Sequence, residues 1–429
     1  MQRKTSRIRA AITILATIPM IMIAAYPAAS QAQTPPAYAM TLETQIPAVM
    51  KANAIPGAIV LVRSPDQGDW QATFGTAEIG TTQPMSIDDH FRIGSNTKTM
   101  TSTVILQLVE EGKLSLDDPI SKYRPDVPNG QNITIAELSE MRSGLYSYSF
   151  DEGFNTTLDT DPQKAWTPDE LLAIAFAHPA NFAPGEKYDY SNTNIILLGQ
   201  VIEQLTGMSV GEAFATRIFE PLGLRQTSLP SSTDASIPQP HPQGYQFGTN
   251  VETIDSYAVP APQLPAALNG TLKPINMTNA NPSWAWTAGG AISTVDDLAT
   301  YVKAMVGGGL LDPQTQQLRL DSIQPIVPGQ NGAGYGLGLV EFAPNIYGHD
   351  GQIPGYSSFM AYDPANDTTI IIGTNLAASP VDGQNAAVVL GKVIISAVYG
   401  IPVPGGDPAA TAGAGAQPMS PPVQVPSGG

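Results

Sequence analysis

Phe91-Arg92-Ile93-Gly94-Ser95-Asn96-Thr97-Lys98-Thr99-Met100 is the stretch whose reading decides the fold of this chain. Apolar residues follow at Met100, Val104, Ile105, Leu108 and Val109, spacings that give one apolar helical face. Gly112 supplies a C-terminal stop, so the pattern predicts a helix with Ser95 at or just before its first turn. Free backbone N–H groups and the positive end of the helix dipole converge at that place. Lys98, three residues on, shares the helical face of Ser95, which sets a hydroxyl beside an amine. An ordinary N-cap serine followed by a solvated lysine has the same spelling, and four residues do not choose between the two.

At 429 residues the chain can bury a large core in one or two domains. Residues 1–32 read as a secretory signal peptide: Arg3, Lys4, Arg7 and Arg9 precede an apolar run, and Ser30-Gln31-Ala32 offers small residues at a cleavage site. The run is shorter than the ~20 residues that span a bilayer, so no stable membrane insertion is expected after removal. The formal charge is −17, and loss of the four basic leader residues takes it to −17 − 4 = −21. Such a surface repels nucleic acid and anionic lipid. There is no cysteine, which excludes disulfides and thiolate chemistry, and the four histidines lack zinc-ligand spacing, so no metal and no cofactor is expected.

Along the chain, residues 40–53 read as an amphipathic helix, and 58–63 with 70–77 as an antiparallel hairpin. Helices separated by Pro- and Asn-rich loops follow at 134–141, 167–177, 192–205 and 210–218, making 113–284 a mainly helical insert. Residues 230–282 are Pro-rich loop, either a surface insertion or a wall of the substrate cleft. A helix over 294–304, strands at 334–341, 345–349, 356–362 and 368–373, and a helix over 383–399 complete the domain, set at 36–400. Two sheet-forming blocks at opposite ends predict an α+β fold, one antiparallel sheet flanked by helices with a helical domain inserted, and a cleft at the junction. In 401–429, 18 of 29 residues are Pro, Gly or Ala, the composition of a disordered tail.

A serine–lysine pair needs a second proton handler, an amide to hold substrate and a strand edge to complete an oxyanion hole. Tyr190-Ser191-Asn192, at a helix start, offers the first two, and His349-Asp350-Gly351, on a strand, offers the third. Ser-x-x-Lys, Tyr-x-Asn and His-x-Gly each occur once, in that order, and no Lys-x-Gly is present. In these motifs the chain resembles the penicillin-recognising serine hydrolases, in the branch of class C β-lactamases, D-alanyl-D-alanine carboxypeptidases and related esterases. Met141-Arg142-Ser143-Gly144-Leu145, Ala288-Gly289-Gly290 with Ser293-Thr294, and Tyr335-Gly336-Leu337-Gly338 extend the likeness over about residues 40–398.

The resemblance implies a β-lactamase/transpeptidase-like fold and a set of roles. Ser95 would form an acyl-enzyme, Lys98 would help remove its proton, and Tyr190 would relay a proton to the leaving group and later activate water, its pKa lowered by a Lys98 ammonium. Asn192 would hold the acyl-side amide, and the backbone N–H groups of Ser95 and Gln352 would form the oxyanion hole. His349 stands where β-lactamases carry lysine, which points to carboxypeptidase-like or esterase-like members, and Asp350 stands where threonine is usual, which removes a hydroxyl, adds negative charge where a substrate carboxylate would sit and weakens the peptidase case. On a regular strand His349 and Gly351 share one face, where glycine lets a substrate lie flat and His349 supplies a cation for a substrate carboxylate. The resulting expectation is an exported serine hydrolase of the cell envelope or exterior, D-alanyl-D-alanine carboxypeptidase-like and β-lactamase-related, acting through an acyl-enzyme on Ser95 on a small-molecule or cell-wall peptide substrate. The alternatives are an esterase and a catalytically silent cell-wall peptide-binding protein.

Overall fold

The structure is a computed structural model, described here for residues 35–329 and 332–400. The expected leader at 1–32 and the expected disordered tail at 401–429 lie outside the described residues.

Both ends of the chain build one sheet. Its order is Trp70–Gly75, Gly57–Arg63, Thr368–Thr374, Tyr356–Asp363, Ile346–Ile353, Val340–Ala343, Gly334–Tyr335 and Gln324–Pro325, with every neighbouring pair antiparallel. The central strands are buried on both faces because their side chains alternate between two apolar layers. Ile59 and Leu61 of the Gly57–Arg63 strand enter one core, while Ala58, Val60 and Val62 enter the other.

The second core is closed by the first and last helices, Ala37–Ala52 and Ala386–Tyr399. Leu42 and Ile46 pack there with Leu390 and Ile394, all fully buried. On the opposite face lie the helices Asn96–Glu110, Asn192–Thr206 and Val295–Gly307, which share one apolar cluster with Ile59, Leu61 and Ile371. Among the described residues no helix is long and apolar enough to cross a membrane.

Two departures from the sequence expectations bear on the site. The strand expected over 334–341 is two strands, because Gly338 turns the chain with φ +64°. A Cβ there would lie 2.1 Å from Ser102 Oγ, so only glycine lets the turn settle on the Asn96–Glu110 helix. The strand expected to end at 349 continues to Ile353. Its pairing with Val340–Ala343 covers only Ile346 to Gly348, leaving that edge of its second half unpaired by that neighbour.

Candidate active site

Ser95 precedes the first residue of the Asn96–Glu110 helix and has helical angles, φ −63° and ψ −8°, with no capping bond from its side chain. The N-cap reading of the serine therefore fails on geometry: a capping residue turns its oxygen back onto the first N–H groups, and this one does not. The segment before it is pinned from several sides. Ile93 N–H donates to Ala291 O (3.0 Å), and Ile93 O accepts from Ser358 Oγ (2.7 Å). Asn96 Nδ2 donates to Ser358 Oγ (2.7 Å). Gly94, at φ +52°, brings this turn against the Ile346–Ile353 strand; a Cβ on it would lie 2.6 Å from Gln352 N.

Lys98 is no solvated lysine. Its side chain is fully buried, with Nζ 2.9 Å from Ser95 Oγ and donating to Ala288 O (2.7 Å). Burial holds its pKa well below the ordinary lysine range, against a smaller upward pull from Asp350. A neutral amine so placed can accept the Ser95 proton.

Tyr190 lies two residues before the Asn192–Thr206 helix, its ring 4.7 Å from Lys98 Nζ. The buried hydroxyl has no partner in full hydrogen-bond geometry among the described residues, although Ser95 lies near enough to favour its ionised form. Burial dominates and raises the pKa well above the usual phenol value, with Tyr335 adding to the rise. The expected lowering by a Lys98 ammonium is thus reversed. The amine lies against the ring rather than bonded to the oxygen, and burial disfavours charge on both groups.

The third motif requires two corrections. His349 was expected to offer a cation to substrate. Instead it is fully buried, with Nε2 3.2 Å from Tyr335 Oη and Nδ1 2.6 Å from the Asp350 carbonyl oxygen. Burial, aided by Lys98, lowers its pKa to about 3, so it is neutral at ordinary pH. Gly351 was expected to lie flat against substrate. A Cβ on it would sit 1.9 Å from Ile93 O, so the glycine serves the close approach of the Ser95 turn. The residues of this strand that do face the cleft are Asp350 and Gln352.

That cleft has a volume of about 410 Å³, with Ser95, Tyr190, Asn192, Asp350 and Gln352 in its wall. Asn192 Nδ2 donates to Ser149 Oγ (3.1 Å), and its backbone N–H donates to Ser147 Oγ (3.1 Å). Ser147 and Ser149 lacked any motif signal, as did Asn385, which donates to Asp350 Oδ2 (3.1 Å) and Gly351 O (2.8 Å). Of the two readings of 230–282, the structure supports the cleft wall, since Asn250, Thr253 and Ile254 line it beside Phe154 and Trp284. Buried Arg92 anchors the region by donating to Ala235 O (2.8 Å), Ala280 O (3.1 Å) and Thr278 O (3.3 Å). Since Arg92 is three residues from Ser95, the wall is tied directly to the turn that holds the hydroxyl.

The profile of the Beta-lactamase family matches residues 42–393. The chain belongs to this family of serine hydrolases. It is similar to the solved structure of a D-stereospecific amidohydrolase from Streptomyces sp., with 31% identity, TM-score 0.70, and 84% of this chain and 98% of that one covered. A D-amino acid amidase from Ochrobactrum anthropi SV3, complexed with L-phenylalanine amide, shows 26% identity and TM-score 0.69 over 84% of this chain and 99% of that one. Protein flp of Staphylococcus aureus (strain MRSA252) is 24% identical over 344 residues, which cover 78% of this chain. The chain spans less than two thirds of the length of such curated relatives, 62% in this case and 64% in another. The family and the antiparallel sheet flanked by helices agree with the sequence expectation.

Proposed function

We propose that this protein is an amide-cleaving or ester-cleaving serine hydrolase that works through an acyl-enzyme on Ser95. The observation that carries this reading is the 2.9 Å approach of Ser95 Oγ to the Nζ of a fully buried Lys98. In acylation, Ser95 Oγ bonds to the substrate carbonyl carbon while its proton passes to Lys98 Nζ. The backbone N–H groups of Ser95 and Gln352 hold the oxyanion, each such donor contributing about 3 kcal/mol to lowering the barrier. As the tetrahedral intermediate collapses, the leaving group takes the Tyr190 proton, and Tyr190 recovers one from Lys98. Water then attacks the acyl carbon and yields its proton along the same pair, which suits a phenol that stays neutral between steps.

Asn192 is the donor for the substrate's acyl-side amide, oriented by Ser149. The substrate class favoured is an amide or ester without a free carboxylate next to the scissile bond, because neutral His349 offers no cation there and Asp350 offers an anion. Amidase neighbours in the solved structures support an amide ahead of a D-alanyl-D-alanine peptide, with esters second. The leader-like residues 1–32 support export to the envelope or exterior.

Covalent labelling tests the reading. A fluorophosphonate should add one adduct, mapped by mass spectrometry to Ser95 and absent from Ser95→Ala. A silent binding protein on the same scaffold would take none.

A further inference from the structure

The helix Glu152–Thr160 turns one face to the cleft, with Phe154, Asn155 and Leu158 in its wall. Their spacing is that of a single helical face. Asn155 connects this helix to the amide of Asn192. Its Nδ2 donates to Ser149 O (2.9 Å), and Ser149 Oγ in turn accepts from Asn192 Nδ2 (3.1 Å). The helix therefore borders the side of the cleft on which Asn192 stands.

The turn 249–254 of the Pro-rich region brings Asn250, Thr253 and Ile254 to the same wall. It is closed on itself: Thr249 N–H donates to Glu252 Oε2 (2.9 Å), Glu252 N–H to Thr249 Oγ1 (3.2 Å) and Thr253 N–H to Thr249 O (3.1 Å). The N–H groups of Asn250 and Val251, at its start, point out of the turn, as first-turn donors do. Both go to Asp159 near the end of the helix. Asp159 Oδ1 accepts from Asn250 N–H (2.7 Å) and Asn250 Nδ2 (2.7 Å), and Oδ2 accepts from Val251 N–H (3.0 Å). Bonds to a carboxylate are of the stronger, charge-assisted kind. Asp159 itself is not in the cleft wall. The rest of the Pro-rich region docks elsewhere, through Asn281 N–H to Pro162 O (2.8 Å) and Trp166 N–H to Ser283 Oγ (2.8 Å), so loss of the Asp159 bonds frees the turn without undocking the region.

We propose that Asp159 is a positioning residue for substrate specificity: by latching the turn 249–254 to the helix Glu152–Thr160, it fixes the apolar end of the cleft formed by Phe154, Leu158, Ile254 and Trp284, and so favours acyl groups long enough to reach that end. This rests on the acyl-enzyme reading above and concerns which acyl groups are selected. A short acyl group leaves the apolar end unused and is indifferent to the latch. A longer one buries apolar surface there, and the gain depends on a wall that is already in place.

The test compares kcat/KM for p-nitrophenyl acetate and p-nitrophenyl hexanoate in wild type, Asp159→Ala and Asp159→Asn. Wild type should favour the hexanoate by about tenfold or more, since several methylenes are buried. In Asp159→Ala that preference should fall to about twofold, through a higher KM for the hexanoate, with the acetate within about twofold of its wild-type value. Asp159→Asn keeps an oxygen for the two Asn250 bonds and loses the acceptor for Val251, so its preference should lie about threefold below wild type. Amide hydrogen exchange at 249–254 should quicken by about tenfold or more in Asp159→Ala. An equal loss for both esters, as general damage to the fold would give, overturns the assignment. So does a preference that Asp159→Ala leaves unchanged, with or without faster exchange, or a wild type that does not favour the hexanoate. If Asp159→Ala does not fold, Asp159→Asn decides: a preference equal to that of wild type overturns the role. Fluorophosphonate labelling of Ser95 in wild type keeps this failure apart from that of the acyl-enzyme reading. An adduct without chain-length preference removes the role of Asp159 alone, whereas no adduct removes both.

Discussion

On the Ile346–Ile353 strand, His349 turns inward and is fully buried against Tyr335, while Asp350 turns to the cleft and keeps one fifth of its side chain exposed. The inner face joins Lys98 and Tyr190, all held toward their neutral forms by burial. The outer face joins Gln352, Asn385 and the loop residues Asn250 and Thr253 in a polar wall. One strand thus separates a dry compartment that holds the groups proposed to move protons from a more solvated one where the proposal places the substrate. The period of two along a strand is sufficient to do this. A residue's role here follows from the face it occupies more than from its chemical type: the histidine loses its charge, and the aspartate keeps a reason to have one.

The sharpest way to break the comparison is at the dry face. Lys98→Ala should lower kcat/KM by roughly a thousandfold or more for any substrate, since the Ser95 proton loses its acceptor. In wild type, kcat/KM should rise with pH and level off once Lys98 is deprotonated, with an apparent pKa below that of an ordinary lysine. A Lys98→Ala protein within tenfold of wild type, or a rate that falls as pH rises from 6 to 8, would mean that the proton goes elsewhere.

The contact between the faces should be nearly as sensitive. Gly351→Ala puts a methyl 1.9 Å from Ile93 O, backbone that Ser358 and Ala291 hold in place. The expected cost is about 3 kcal/mol of stability, read as a lower urea midpoint, together with a loss of turnover as the Ser95 turn is pushed away. Unchanged stability would show that the strand and the turn are not packed as described.

Much of this was legible in the sequence, and the exceptions have physical causes. The strands near 58–63, 70–77, 356–362 and 368–373 were legible from β-forming runs bounded by turn residues, so the single sheet built from both ends could be read. The two-residue edge strand Gln324–Pro325 is too short to carry a period. Ser95, Lys98, Tyr190 and Asn192 were visible because each sits at a fixed offset within a short motif. The Asn96–Glu110 helix was harder, since Thr97, Thr99, Thr101, Ser102 and Thr103 are as buried as its apolar face. The four threonine hydroxyls find local or tertiary partners, such as Thr103 with Thr99 O (2.7 Å) and Thr101 with Thr287 O (2.8 Å), so hydropathy understates the burial. The charge of His349 was misread because a motif gives identity without environment, and desolvation decides the rest. Asn385 and the two serines beneath Asn192 were invisible, being brought in only by tertiary contact.

The smallest effect expected is on acid stability, and it opposes the two neighbours directly. His349 has its pKa lowered to about 3, so between about pH 6.5 and 3 the unfolded chain binds a proton that the folded one refuses. Stability from this residue is therefore lost as pH falls through that window. Asp350 has its pKa raised from 3.8 to about 6, so between those values the folded chain binds the extra proton and gains stability as pH falls. Between about pH 4 and 6 the neighbours offset each other. His349→Gln keeps a polar side chain at the inner face and removes only the unfavourable half. Relative to wild type, its unfolding free energy should improve on going from pH 7.0 to 4.5 by up to about 3 kcal/mol, at ~1.4 kcal/mol per pH unit for one proton. Asp350→Asn should become more acid-sensitive over the same interval, by less, because its carboxylate is partly solvated and its charge is screened. Urea unfolding of the three proteins at both pH values measures each shift. Parallel pH dependences in wild type and His349→Gln would show that His349 takes up its proton in the folded state as readily as in the unfolded one. In that case the inner face of the strand is not the dry compartment inferred for it.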